Sequence, residues 1–328
     1  MLTRRAFVVA ASAVPLGFRS AAHAEAPYPN HNLRILVGYP AGGGVDIVAR
    51  LVADPMKDVL GQPVIVENRA GAAAMIAAQA VATAGADGHT LLMAAAGEVA
   101  VNQHLYKTRM QYDPLGDLTP VALAGIVPCV VVVNAKSDVK SPADLVAYAK
   151  ANKGKLTFSS SGVGNPQHLA GELMNRMAGI DVLHIPYRGS APAVTDVAVG
   201  SVTMSFSSLG AALPLMQAGQ LRAVAVTSKD RMPQLPDVAP LADGPGLAGY
   251  ELLNWFAMFA PSMTPDPILA RLNNTVASIF RDPVIAGKIE VQGIVTRPMG
   301  AAQLRSFVRS EAEKFGKIIE AANIKLEN

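Results

Sequence analysis

The segment Leu33-Arg34-Ile35-Leu36-Val37-Gly38-Tyr39-Pro40-Ala41-Gly42-Gly43-Gly44-Val45-Asp46-Ile47-Val48-Ala49-Arg50 decides how the rest of the chain is read. A short apolar run, a glycine loop and then apolar residues at helical spacing predict a buried strand, a turn and a helix opening near Val45 or Asp46. The first N–H groups of such a helix have no partner inside it, and the positive end of its dipole lies behind them. Gly42, Gly43 and Gly44 remove the side chains that would hold a ligand away from those donors, so the segment is an expected anion seat. The same glycines are equally compatible with a tight turn alone.

Nucleotide readings of this loop fail on spacing. Gly38 and Gly43 have the first P-loop interval, but Gly44-Val45 follows where Lys-Ser/Thr is required. Gly42 and Gly44 begin a dinucleotide fingerprint whose third glycine position is filled by Ile47.

Upstream, Thr3-Arg4-Arg5-Ala6-Phe7 precedes an apolar run from Val8 to Phe18, and Ala22-His23-Ala24 supplies an A-x-A site before Glu25. This pattern predicts a secretory signal peptide over residues 1–24, cleaved after Ala24, with export to the periplasm; the arginine pair points to the twin-arginine route. The leader holds three arginines and no acid. Without it the formal +3 becomes 25 basic against 25 acidic residues. A neutral chain without basic runs gives no reason to expect a nucleic-acid or membrane-surface partner.

About 300 mature residues suit two domains rather than one small core. Half the residues are apolar (51%) and few are aromatic (5%), as strands buried under helices require. Cys129 is the only cysteine and pairs with no other in the chain; it reads as an inert core residue. The longest mature apolar run, Val121 to Val133, is broken by Pro128 and is too short to span a membrane.

The strand–loop–helix device recurs. Val64 to Glu67 is a strand, Asn68-Arg69-Ala70-Gly71 its loop, and an alanine-rich helix runs to Ala82 before a strand at His89–Met93. Strands alternating with helices at this spacing predict βαβ units and a mostly parallel sheet. After an apolar strand at Val130–Val133, Ser141-Pro142-Ala143-Asp144 opens a helix with Ser as cap and Pro in the first turn. A second series follows, led by Leu156-Thr157-Phe158 and the loop Ser159-Ser160-Ser161-Gly162-Val163-Gly164-Asn165-Pro166. Two glycine loops, one in each half, are expected to face each other across a cleft, because ligands of α/β folds bind at the carboxyl ends of strands.

Catalytic signatures are missing from the sequence. The mature histidines His31, His89, His104, His168 and His184 are scattered without paired spacing, so no metal site is expected. No G-x-S-x-G elbow occurs, which makes Ser160 and Ser161 hydroxyl donors rather than nucleophiles. No cofactor motif is present. His168 reads as a cleft residue or a structural hydrogen-bonder, and Asp46 as a helix cap or a ligand contact, the cap being favoured. Arg50 is expected to pair with a neighbouring carboxylate. Tyr187 and Phe206 read either as core or as cleft aromatics.

Taken together the motifs resemble the Bug-type, TctC-like periplasmic solute receptors of tripartite tricarboxylate transporters. They are Tyr39 to Asp46 with Ala49-Arg50, Val66-Glu67-Asn68-Arg69-Ala70-Gly71, Asp87-Gly88-His89-Thr90-Leu91-Leu92, Tyr112-Asp113-Pro114, Ser161-Gly162-Val163-Gly164 with His168-Leu169-Ala170, His184 to Pro192, Ala223 to Thr227 and Asn254-Trp255-Phe256. The resemblance implies an α/β, two-lobed, type II-like periplasmic-binding-protein fold, each lobe a mostly parallel sheet flanked by helices. Lobe 1 is expected over residues 25–128 plus 254–328 and lobe 2 over 129–253, with crossings near Pro128 and Leu253. It also implies a monomer without enzyme activity or cofactor, which captures a small organic carboxylate and delivers it to membrane permease subunits. A sensor presenting the carboxylate to a membrane kinase is the alternative, and an exported enzyme a more distant one.

The ligand-binding set expected from the loops and the resemblance is Tyr39, Ala41, Gly42, Gly43, Gly44, Asp46, Ala95, Ser160, Ser161, Gly162, Gly164, His168, Tyr187 and Ser207. Three features depart from the family pattern. Ala70-Gly71-Ala72-Ala73-Ala74 replaces a glycine-rich loop, Ala94-Ala95-Ala96 stands where hydroxyl residues are usual, and Ser207 stands where many relatives have Asp. Fewer polar groups predict a less polar carboxylate, aliphatic or aromatic, rather than an amino acid.

Overall fold

The computed structural model describes residues 28–321 and 323–324. The predicted signal peptide and its cleavage site lie outside the described residues.

The first half of the fold is built as the opening segment dictates. Strand β1 (Leu33–Val37) is buried at Leu33 and from Ile35 to Val37. Helix α1 (Gly44–Leu60) begins one residue earlier than expected, because Gly43 already takes the extended cap conformation. Strand β2 (Val64–Asn68), helix α2 (Met75–Ala82), strand β3 (Thr90–Ala95) and the single turn α3 (Asn102–Leu105) follow. The alanine-rich helix starts later than its composition suggests. Ala72, Ala73 and Ala74 all have positive φ (45°, 51° and 67°), a left-handed turn that a right-handed helix cannot include.

Strand β4 (Leu118–Asn134) is far longer than the expected Val130–Val133 and is buried over all but its last residue. The second half holds α4 (Pro142–Ala151), β5 (Leu156–Ser160), α5 (Pro166–Ala178), β6 (Val182–Pro186), α6 (Ser190–Ala198), β7 (Met204–Ser208), α7 (Leu209–Gln217) and β8 (Leu221–Val226). Strand β9 (Leu253–Pro261) returns to the first half, and α8 (Asp266–Arg281), α9 (Pro283–Val291) and α10 (Ala301–Ala321) close the chain.

The strand order is β2-β1-β3-β9-β4-β7-β5-β6, with β8 also paired to β4. β1 runs parallel to β2 and β3, and β5 parallel to β6 and β7. β9 is antiparallel to both β3 and β4, and β4 is antiparallel to β7 and β8. Up to Pro128, opposite Leu253, β4 pairs with β9; from Cys129 onward it pairs with β7 and β8. One strand therefore belongs to both halves of the sheet, which is why it must be long and apolar on both faces.

Candidate functional site

Every turn that leaves the carboxyl end of β1, β3, β5, β6 or β7 reaches the same concavity. A cavity of about 260 Å³ is lined by Tyr39 to Val45 after β1, Ala95 at the end of β3, and Ser161 after β5. Asn165 to Gln167 at the start of α5, Arg188 to Pro192 after β6, Ser208 at the end of β7, and Val127, Cys129, Asn254 and Phe256 from β4 and β9 complete its wall. A neighbouring space of about 610 Å³ shares Tyr39, Pro40, Ser161, Asn165, Arg188 and Gly189 with it and extends to Ala70–Ala74, Gly162 and Tyr187. Among the described residues, Arg188 is the only charged side chain on either wall.

The helix starts divide into two kinds. Helices α4, α5 and α9 are closed by side chains, Ser141 accepting from the Asp144 N–H, Asn165 from His168 and Asp282 from Val284. Helices α1, α6 and α7 begin at Gly43, Gly189 and Ser208 with no side-chain cap, and α2, α3 and α8 also lack one. Among these only the starts of α1, α6 and α7 lie on the 260 Å³ cavity, which the capped start of α5 lines too. The first-turn N–H groups and positive dipole ends of α1, α6 and α7 converge there, as an anion requires. Phe256 fixes how closely the chain passes: a Cβ on Gly44 would sit 3.2 Å from its ring.

The first glycine loop is tied by Asp46, which is 2% exposed. Its carboxylate accepts from the Gly42 N–H (2.9 Å), from Arg50 (3.1 Å) and from the Asn68 amide (2.9 Å). Burial alone would raise the pKa of this carboxyl, but bonds from Arg50, Gly42 and Asn68 bring it below the ordinary aspartate value. Arg50 pairs with a neighbouring acid as expected. Asp46 is a brace behind the loop, and it lines neither cavity.

The second glycine loop is closed by its own side chains. Ser161 N–H donates to Gln167 Oε1 (2.8 Å), Gly162 N–H to Ser160 Oγ (3.2 Å) and Gly164 N–H to His168 Nδ1 (3.1 Å). His168 stacks on His184 with ring centroids 3.9 Å apart, and His184 Nε2 lies 2.7 Å from Ser160 Oγ. Burial, then the His168 charge, holds His184 down to about 3, so this imidazole stays neutral.

The structure thus brings Tyr39, Ala41, Gly42, Gly43, Gly44, Ala95 and Ser161 onto the smaller cavity, and Gly162 and Tyr187 onto the larger one. Asp46, Ser160, Gly164, His168 and Ser207 lie behind the walls, Ser160 and Ser207 wholly buried. Ser208, not Ser207, faces the cavity, because successive strand residues point to opposite faces. Phe206 is core and Tyr187 half-buried at the wall. Cys129 touches the cavity, but burial pushes its thiol up to about 12, consistent with an unreactive residue.

Sequence reasoning missed Arg188, the α6 start at Gly189–Ser190, Ser208, Asn254 and Phe256. The signal was present: Pro186-Tyr187-Arg188-Gly189-Ser190 is a third strand–glycine–helix passage. Asn254 Oδ1 accepts from Trp255 N–H (2.8 Å) and Ala96 N–H (3.4 Å), which orients its amide at the wall.

A family model described as the tripartite tricarboxylate transporter family receptor matches residues 48–324. The chain belongs to this family. Protein BugT of Bordetella pertussis is 34% identical over 300 residues, covering 91% of this chain and 91% of BugT. Among solved structures, Rhodopseudomonas palustris Rpa4515 with adipate superposes with a TM-score of 0.85 at 34% identity, covering 91% of this chain and 99% of that one. MatC (Rpa3494) from the same species, with bound malate, gives 0.81 at 28% identity, covering 89% and 100%. The receptor therefore has the two-lobed α/β periplasmic-binding-protein fold, and it is a Bug-type solute-binding protein.

Proposed function

We propose that this receptor captures a small organic carboxylate between two lobes, residues 25–128 with 254–328 and residues 129–253, and hands it to membrane permease subunits. The observation that carries the reading is the convergence of three uncapped helix starts on one cavity whose wall holds Arg188 and no acid. A carboxylate accepting from such N–H groups gains about 1.5–3 kcal/mol per bond, so a few bonds suffice for capture after ordering costs. The adipate- and malate-bound relatives support the class of ligand. The apolar wall at Val45, Val127, Ala95 and Phe256 favours a carboxylate with an aliphatic or aromatic body. The ligand leaves unchanged: the Ser160–His184 pair resembles a nucleophile and base, but Ser160 is buried behind the wall. Synthesis with the leader at residues 1–24, export by the twin-arginine route, cleavage after Ala24 and action as a monomer complete the proposal.

The test is a titration of the exported protein with mono-, di- and tricarboxylates, followed by calorimetry and thermal shift. A binding carboxylate at 100 times its dissociation constant stabilises the fold by about 2.7 kcal/mol. Gly43→Val, at a position with negative φ where an added Cβ meets only the Pro40 carbonyl oxygen at 3.4 Å, should fold normally and lose this response. A flat response to every carboxylate would overturn the reading.

A further inference from the structure

At the amino ends of β1 and β3, on the side of the sheet away from the cavity, two segments remote in sequence meet. His31 precedes β1, and Asp87-Gly88-His89 precedes β3. The imidazoles of His31 and His89 stack at 3.7 Å with 10° between their planes, and Tyr28 packs edge-on against His89. Tyr28 donates to the Gly88 carbonyl (2.8 Å), and the Asp87 carboxylate accepts from the His89 N–H (2.9 Å), so both segments are fixed at this point.

His89 is 6% exposed, and among the described residues neither of its ring nitrogens has a hydrogen-bond partner. Its Nδ1 lies 3.3 Å from Asp87 Oδ1 without hydrogen-bonding geometry. A buried imidazole with two unmet nitrogens forfeits its solvation unless something completes it. The donor atoms of His31, Asp87 and His89 all lie within 4.8 Å of one another. Two imidazole nitrogens and one carboxylate oxygen form a donor set for a borderline divalent ion such as Zn²⁺, leaving room for water.

The geometry points to a divalent transition-metal site formed by His31, Asp87 and His89, which clamps the segment before β1 to the turn before β3. Donors on one tetrahedral Zn²⁺ stand about 3.3–3.5 Å apart, so these must close by up to roughly 1.5 Å and the stacked rings must splay. His31 and Asp87 are exposed, and to bind they must give up the contact of His31 Nδ1 with Asn30 Oδ1 (2.6 Å) and re-aim the Asp87 carboxylate, while packing holds His89 in place. The scattered histidines of the sequence gave no hint of this, because the fold and not the spacing brings them together.

The experiment is calorimetric titration of the untagged, chelator-stripped exported protein with ZnCl₂, with MgCl₂ as control. One equivalent of Zn²⁺ should bind, Mg²⁺ should not, and His31→Ala and Asp87→Asn should each weaken Zn²⁺ binding at least tenfold. His89→Gln should abolish it, and because His31 and Asp87 are exposed, their variants decide the matter if the His89 variant fails to fold. Absence of Zn²⁺ binding, undiminished binding in His31→Ala, or equal binding of Mg²⁺ would overturn the site.

Discussion

The phenol of Tyr39 donates a 2.8 Å hydrogen bond to Oε2 of Glu98, joining the first cavity loop to the only charged side chain between Leu91 and Val101. Glu98 is wholly buried; its other oxygen accepts from the Ala95 N–H (3.0 Å), and Tyr112 donates to its carbonyl (2.6 Å). Gly97 makes the meeting possible, since a Cβ there would stand 3.2 Å from the Tyr39 oxygen. The wide π-type turn at Gly97–Val101 turns Glu98 under the cavity floor.

This arrangement sets a pH dependence. Burial raises the Glu98 carboxyl to about 7, outweighing the hydrogen bonds that favour its charged form. Between about 4.5 and 7 the folded receptor keeps a proton that the unfolded chain has released, so this group makes stability fall as pH rises. His184 acts oppositely. From about 3 to 6.5 the unfolded chain binds a proton that the folded one refuses, so stability rises with pH. The two slopes offset each other between about 4.5 and 6.5. Glu98→Gln should therefore steepen the rise in stability from pH 5 to 6.5, by up to about 1.4 kcal/mol per pH unit. His184→Gln should instead make stability fall over the same window. Denaturant titrations at pH 5, 6 and 7 check both, and parallel profiles for all three proteins would refute the account.

Asp46 ties the glycine loop, helix α1 and the end of β2 together, since Asn68 also donates to the Tyr39 carbonyl (3.0 Å). Asp46→Ala should cost about 2–3 kcal/mol, because it strands the Gly42 N–H and the Asn68 amide. It should also weaken ligand binding by loosening the loop. With a carboxyl held below its ordinary value, the contribution of Asp46 is complete above about pH 4 and is lost as pH falls further. The stability difference between natural and variant protein should therefore shrink in acid, as urea titrations at pH 3 and 7 would show.

How far the sequence disclosed this molecule depends on whether the deciding contact was local. Strand β1, the glycine loop and α1 were legible because a period change and three glycines coincide within a dozen residues. Ser141 was legible as a cap for the same reason. The length of β4 was not, because its two halves are buried by strands drawn from opposite ends of the chain. Glu98 was missed because its partner Tyr39 lies 59 residues away in sequence and is brought beside it only by the pairing of β1 with β3. The closing of the second glycine loop depends on Gln167 and His168, one helical turn beyond the residues that looked decisive.

The left-handed turn at Ala72–Ala74 is strained, since each alanine there costs roughly 1–2 kcal/mol relative to the right-handed form. Asn102 holds it by donating to the Ala73 carbonyl (2.8 Å), and Ala74 fills the space a side chain on Gly38 would take. Ala73→Gly should leave the receptor at least as stable as the natural protein, because glycine adopts this φ freely and offsets its own entropy. Ala73→Val should destabilise it by about 1–2 kcal/mol, as a β-branched residue at positive φ does. Thermal denaturation of the pair would show the difference as several degrees. Equal melting temperatures would mean that the turn relaxes in solution.

Arg188 stands where the two cavities meet and is the one charge on their walls. With one carboxylate of a ligand on the helix starts of α1 and α7, the second carboxylate of a diacid is expected to meet Arg188, which adjoins the α6 start at Gly189. An extended dicarboxylate can reach the guanidinium with its second charge, whereas a monocarboxylate of equal length cannot. Arg188 is exposed, so the pairing is worth at most about 1 kcal/mol. Arg188→Met should accordingly weaken a dicarboxylate up to about fivefold and leave the matched monocarboxylate unchanged. Aspartate should bind more weakly than either, because its ammonium group meets no acid on the wall and loses its hydration. Calorimetry with the three ligands on both proteins separates these contributions. An aspartate affinity above that of the aliphatic diacid would show instead that the selective contacts lie with the ammonium.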